Sequence, residues 1–229
     1  MKIAFIHQDK KLHTGAHYIN NLISQKLKEN GVRVKHFYPR SPLVDAPHHL
    51  KGLNNILFFH SLLEHKDEIL KCDIIQGTTY TPLAYLPFDI PVISHCGSTT
   101  RGFLKSAPLT HHFDKQMRVI WHELRKTGAV KELNIKTRRP LRDIAEIEEY
   151  VAQRAEVVIA TSKIVADELI ESGTAKEKVH IIHNAIEDFW FQNGAAGNSS
   201  APPSLVYLGR LGRDVFTLKL KGFDRLVWL

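Results

Sequence analysis

Lys2-Ile3-Ala4-Phe5-Ile6-His7-Gln8, a loop holding Thr14-Gly15, the stretch Ala16–Glu29 closed by Gly31, and then Val32–Tyr38 decide the fold. Ile3 to Ile6 run without a polar interruption, which is how a parallel strand buried on both faces reads. Ile19, Leu22, Ile23 and Leu27 recur at helical spacing, and Gly31 stands just past the end, where left-handed backbone stops a helix. Strand, glycine-bearing loop, helix and strand make a βαβ unit.

The alternation continues outward. Leu50–Leu70 is predicted helical, with Leu53, Ile56, Leu57, Leu62 and Leu63 on one broad face. Asp73–Gln76 reads as a strand and Tyr80–Tyr85 as a short helix with Pro82 in its first turn. Pro91–His95 is a further strand, and Phe113–Lys126 and Leu141–Arg154 are predicted helices. Val157–Thr161 is a strand, Ser162 caps a helix running to Glu171 and closed by Gly173, and Val179–Ile182 is the next strand. No internal repeat is visible. The expected class is α/β: a Rossmann-like, mainly parallel sheet with helices on both faces. Ligands of such sheets bind beyond the carboxyl ends of the strands, near the point where strand order reverses. The loops after His7, Gln76, His95, Thr161 and Ile182 therefore rim one crevice.

At Asn193–Ser204, NGAAGNSSAPPS, the composition turns to small residues and proline without charge, which reads as a linker. The expected organisation is a first domain at 1–184, a linker at 185–204, and at 205–229 the first strand (Leu205–Leu208) and helix (Gly222–Leu229) of a truncated second domain. One strand and one helix cannot cover their own apolar faces. Val206, Leu208, Leu226, Val227, Trp228 and Leu229 either need a partner that this sequence lacks or fold back on the first domain, and a fragment of a longer protein is expected.

Hydrophobic residues make up 43% of the 229 and charged residues 24%, as in ordinary globular proteins. The net charge of +7 suits an anionic partner: nucleic acid, an anionic membrane face touched peripherally, or a sugar nucleotide. Lysines and arginines are spread along the chain, and the cluster Lys136-Thr137-Arg138-Arg139 is short. Without a basic stripe interleaved with aromatics, nucleic acid is not the expected partner. No apolar run approaches the roughly 20 residues of a membrane span, and the first six residues are too short for a secretory leader, so a cytoplasmic protein is expected. Cys72 and Cys96 fit neither a zinc spacing nor CxxC and read as small buried hydrophobes. The adjacent pairs His48-His49 and His111-His112 point apart in regular structure, and no HExxH occurs, so no metal site is expected. Glu146, Glu148 and Glu149 read as a solvated helix face.

Two constellations carry candidate chemistry. Thr14-Gly15 stands before a helix, whose unpaired N–H groups and positive dipole end suit an oxyanion; a plain turn glycine is the alternative. GxGxxG and the Walker pattern are absent. The second is Leu208-Gly209-Arg210-Leu211 with Lys221-Gly222-Phe223-Asp224. An arginine fork and a lysine converging at a strand end and a helix start would hold a diphosphate leaving group as its charge grows; a basic surface turn is the alternative, and Lys219 competes with Lys221. His95, Ser98 and Thr99 at the crevice suit either acceptor hydroxyls or a structural role.

Tyr207–Leu211 with Lys221–Leu226 resembles the start of the donor domain of family 4 glycosyltransferases of the GT-B fold. Ser162–Phe191 resembles the segment before it, and Asp73–Gly77 and Pro91–His95 fit the same order. The resemblance implies transfer of a sugar from a nucleotide-diphosphate donor to a glycan, lipid or small-molecule acceptor. Retention at the anomeric carbon is implied, with no metal and no cofactor apart from the donor as substrate. It implies that Arg210 and Lys221 neutralise the donor diphosphate, that Gly15 lies near phosphates and acceptor, and that the loop after the Pro91 strand approaches the sugar. The family's donor-binding glutamates would lie in a missing C-terminal domain. A non-catalytic α/β binding module is the other reading.

Overall fold

The structure is a computed structural model that describes residues 1–8, 15–40, 58–106, 115–128, 139–184, 186–187, 189, 206, 218 and 220–228. The strands are β1 Lys2–Ile6, β2 Arg33–Phe37, β3 Ile74–Thr78, β4 Val92–Cys96, β5 Val157–Ala160 and β6 Val179–Ile181. The helices are α1 Gly15–Glu29, α2 Lys66–Ile69, α3 Thr100–Ser106, α4 Lys115–Lys126, α5 Arg139–Arg154, α6 Lys163–Glu171 and α7 Phe223–Trp228. Short 3-10 turns occupy Ser61–His65, Thr81–Tyr85 and Lys176–Lys178.

All six strands form one parallel sheet in the order β2-β1-β3-β4-β5-β6. The predicted Rossmann-like class is therefore the observed one. Chain contacts divide the molecule into one unit of residues 1–104 with 138–185, which holds the sheet, and another of residues 105–137 with 186–229. The linker expected at 193–204 and the strand expected at 205–208 lie outside the described residues, Val206 apart.

The central strands are buried as their continuous apolar runs require. β1 is covered from Ile3 to Ile6, and Ile75, Val92, Val158 and Ala160 join Leu62, Ile69, Tyr85, Ala152 and Leu169 in one core cluster. The edge strands β2 and β6 are more exposed. Among the described residues no helix is long and apolar enough to cross a membrane.

Two predicted elements differ. The helix expected over Leu50–Leu70 is described from Phe58, and there it tightens to a 3-10 turn at Ser61–His65 before α2. The cause is local competition for backbone carbonyls. Ser61 Oγ donates to the Phe58 carbonyl at 2.6 Å and Tyr85 Oη to the Leu62 carbonyl at 2.6 Å. The second difference is α3, which stands where the sequence reading has a loop.

Both cysteines are free and buried. Burial pushes the Cys96 thiol up to about 12, with Ser94 Oγ 3.6 Å from its sulfur, so almost no thiolate forms near neutrality. Cys72 is also raised by burial. We expect a thiol-reactive chromophore to leave the native protein essentially unlabelled at pH 8 over minutes and to titrate both cysteines after denaturation. Rapid native labelling of Cys96 would contradict its burial.

Candidate active site

The chain leaves β1 toward β2 on one side and returns to β3 on the other, so strand order reverses between β1 and β3. At such a switch point the two flanking crossovers diverge and leave a crevice at the carboxyl ends. Because every pair is parallel, the segments after β1, β3 and β4 emerge on the same side of the sheet. Of the candidates, Thr14 lies outside the described residues and Gly15 opens α1. A Cβ on Gly15 would meet nothing within 4 Å, and the first turn of α1 carries no acidic side chain. The fold itself does not demand glycine there, and the helix end keeps its positive character.

His7, the last buried residue of the β1 run, sits in a ring stack. It lies 4.6 Å from the Tyr38 ring and 5.0 Å from His36, between centroids. His7 Nε2 and His36 Nδ1 are 2.7 Å apart, and His36 Nε2 is 2.9 Å from Ser24 Oγ. One imidazole donates and the other accepts. Burial first, then Lys28 and His17, hold the His36 pKa below its ordinary value.

After β3 the backbone of Thr79 turns left-handed, with φ +48°, in a β-branched residue for which that conformation is costly. It is held by His95, whose carbonyl accepts from Thr79 N–H at 3.0 Å, and by Ser94, whose Oγ donates to the Thr79 carbonyl at 2.7 Å. His95 itself is buried, and burial lowers its pKa, so it is neutral near pH 7 and acts as a hydrogen-bonding group rather than a cation.

Ser98 is exposed at the end of the β4 loop. Thr99 is buried and caps α3: its Oγ1 accepts from Gly102 N–H at 2.9 Å and donates to Glu168. Next to it, Thr100 N–H and Oγ1 both donate to the Glu148 carboxylate, at 3.0 and 2.7 Å. The structure therefore fills the Thr99 hydroxyl from within the protein. Arg210 lies outside the described residues, as does Lys219; Lys221 is exposed in the turn before α7, where Gly222 has φ +69°. Among the described residues no group of three His, Cys, Asp or Glu is placed to hold a metal ion.

The reading of Glu146, Glu148 and Glu149 as one solvated face is corrected at Glu148, which is 4% exposed. Glu148 stands in the apolar stripe of α5, between Ala145 and Val151-Ala152, all buried. A carboxylate at that helical phase was a legible signal. Burial raises its pKa, against which the Thr100 bonds pull it down; Glu149 and Glu168 raise it further. A raised folded value means that Glu148 favours folding most below the ordinary glutamate range and loses that contribution as pH climbs through the raised value. We expect the unfolding free energy of the wild type, relative to Glu148→Gln, to fall as pH rises from about 4 through that window. Urea midpoints across pH measure the difference, and a flat or rising difference would reverse the assignment.

A sequence profile described as Glycosyltransferase Family 4 matches residues 18–188. No curated protein matches the chain. Among solved structures, the Anabaena protein HepE in complex with UDP is 18% identical over 82% of this chain and 45% of its own, with a TM-score of 0.41. Sucrose-phosphate synthase from Thermosynechococcus elongatus is 12% identical over 80% and 48%, with a TM-score of 0.49. The lipopolysaccharide outer core galactosyltransferase WaaB is 9% identical over 81% and 46%, with a TM-score of 0.47. The chain spans about half the length of these solved proteins. With the profile covering well over half of its residues, the chain belongs to glycosyltransferase family 4.

Proposed function

We propose that this chain supplies the acceptor-side lobe of a retaining glycosyltransferase, which moves a sugar from a nucleotide-diphosphate donor to an acceptor hydroxyl without a metal or further cofactor. In this reading residues 1–184 are assigned to that lobe, 185–204 to the connection and 205–229 to the opening of the donor lobe, although chain contacts group 105–137 with 186–229. The observation that carries the reading is the switch point between β1 and β3, within a chain of this family. The N-terminus of the fifteen-residue α1 stands at that end of the sheet, with open space at Gly15 and no acidic residue in its first turn. A phosphate approaching a helix N-terminus gains both N–H donors and the dipole. Neutral His95 and the hydroxyl of Ser98 suit uncharged sugar and acceptor hydroxyls. Arg210 and Lys221 supply the cationic charge that a departing nucleoside diphosphate requires.

The test is turnover of a panel of nucleotide-diphosphate sugars, followed as nucleoside diphosphate released, by this chain and by a polypeptide extended with a donor lobe. The reading expects the extended polypeptide to turn over one of them. Retention is read from the anomeric configuration of the product. Binding of acceptor without turnover in either form would instead favour a non-catalytic binding module.

A further inference from the structure

The β4–α3 corner is held far more tightly than a short helix requires. Capping by Thr99 already satisfies one N-terminal donor of α3. Beyond that cap, three consecutive residues are each engaged by a glutamate from another helix: Thr99 by Glu168 of α6, Thr100 by Glu148 of α5, and Arg101 by Glu149 of α5. Arg101 Nη2 donates to Glu149 at 2.8 Å as the second arm of that fork. At its other end the loop is tied by Thr161, whose Oγ1 donates to the Gly97 carbonyl at 3.2 Å.

Two features are costly to stability and converge on this corner. Glu148 places a carboxyl in the otherwise apolar stripe of α5, where an apolar side chain would pack without desolvating a charge. Gly102 sits inside α3, where glycine is less favourable than alanine. A Cβ there would fall onto the Glu168 carboxyl group, 2.6 Å from its Cδ, so the glycine is what admits Glu168. Gly97 and Ser98, between these ties, remain exposed at the carboxyl end of β4.

We infer that Glu148 and Glu168 are positioning residues: by locking Thr99 and Thr100 they hold Gly97-Ser98 in one conformation, so that a sugar or acceptor hydroxyl meets a preorganised hydroxyl and backbone amides. The inference rests on the proposed sugar transfer for its ligand and on the observed hydrogen bonds for its mechanism. Misplacing such a contact by about 1 Å costs on the order of a hundredfold in rate.

The test compares Glu148→Ala, Glu148→Gln, Glu168→Gln and Thr100→Val. Amide exchange of this 229-residue chain reads the loop, and kcat and KM of the donor-lobe-extended polypeptide read the consequence. Glu148→Ala and Thr100→Val are expected to speed exchange of the amides at 98–103 at least tenfold while β1 and β3 keep their protection. Transfer by these two variants is expected to lose at least tenfold in kcat/KM, chiefly through KM. Glu148→Gln is expected to restore both, because its amide oxygen accepts from Thr100 N–H and its amide group donates to Thr100 Oγ1. Glu168→Gln is expected to fall between. Unchanged exchange at 98–103 in Glu148→Ala, or acceleration spread evenly over the sheet, would overturn the lock. A loosened loop with wild-type kcat and KM would overturn the positioning role. Absence of transfer by the unsubstituted extended polypeptide would overturn the functional reading and the ligand assigned here, while the exchange arm still judges the lock.

Discussion

Gly77→Val is expected to cost the fold about 3 kcal/mol or more and to lower its melting midpoint by several degrees. Gly77 lies inside β3, paired with Ile6 on one side and Ser94 on the other, and is buried. A Cβ at this position would fall on Thr81 Oγ1 and stand 2.6 Å from Pro82 Cδ and 3.1 Å from its Cγ. Neither neighbour has room to retreat. Thr81 is 1% exposed and its hydroxyl reaches the Ile6 carbonyl at 3.4 Å, while the Pro82 ring is fixed to its own backbone. Overpacking by single methylene groups costs about 1–3 kcal/mol, and valine adds three heavy atoms to a site that lacks space for one. Set against a typical total of about 5–15 kcal/mol, a loss of about 3 kcal/mol or more removes a large part of the stability. Gly77→Ala is expected to fold with a loss of about 1–3 kcal/mol. Gly15→Ala serves as the control, because no atom lies within 4 Å of the added carbon and alanine favours a helix. Circular dichroism melts and urea midpoints of the three proteins decide the matter. A Gly77→Val protein melting within a degree or two of the wild type would mean that the Thr81–Tyr85 turn does not pack on β3 as described.

Elements whose period lies within one stretch of chain are legible in the sequence. The run Ile3–Ile6 and the helical spacing of Ile19, Leu22, Ile23 and Leu27 state their period directly, and both became β1 and α1. Ser162 has the residue type and position of an N-cap and forms one, with its side chain accepting from Val165 N–H. What stayed hidden depends on pairs of residues far apart in the chain. Gly102 argues against a helix by its own propensity, and only the carboxyl of Glu168, sixty-six residues on, explains why glycine stands there. Glu148 was visible by phase in the stripe of α5, yet its partner Thr100 was not, because no local pattern announces a bond across forty-eight residues. The left-handed Thr79 was likewise unreadable, since nothing in Thr-Thr-Tyr signals a positive φ. The order of strands, and with it the switch point, follows from parallel pairing that sequence alone leaves open.

Arg210→Ala, made in the donor-lobe-extended polypeptide, is expected to lower kcat by about 10²–10³-fold while leaving the thermal midpoint within about a degree of the wild type. When the bond from anomeric carbon to phosphate breaks, negative charge accumulates on the departing nucleoside diphosphate, so a fixed cation helps the transition state more than the bound donor. An interaction of that kind appears in kcat, whereas one made equally in ground and transition states appears in KM alone. Arginine offers two parallel N–H donors to phosphate oxygens, and lysine a single compact charge. Arg210→Lys should accordingly recover part of the loss, and Lys221→Ala should cost less than Arg210→Ala. If both cations act on one diphosphate, the double variant should lose less than the product of the two single losses. Lys219→Ala separates the assignment from general basicity: a loss equal to that of Lys221→Ala would move the role to Lys219 or reduce it to surface charge. Raised salt should weaken donor binding in the wild type more than in Arg210→Ala, because screening acts on the charge the variant has already lost. Near-normal kcat in Arg210→Ala would remove the leaving-group assignment while leaving the family membership and the β1–β3 switch point intact.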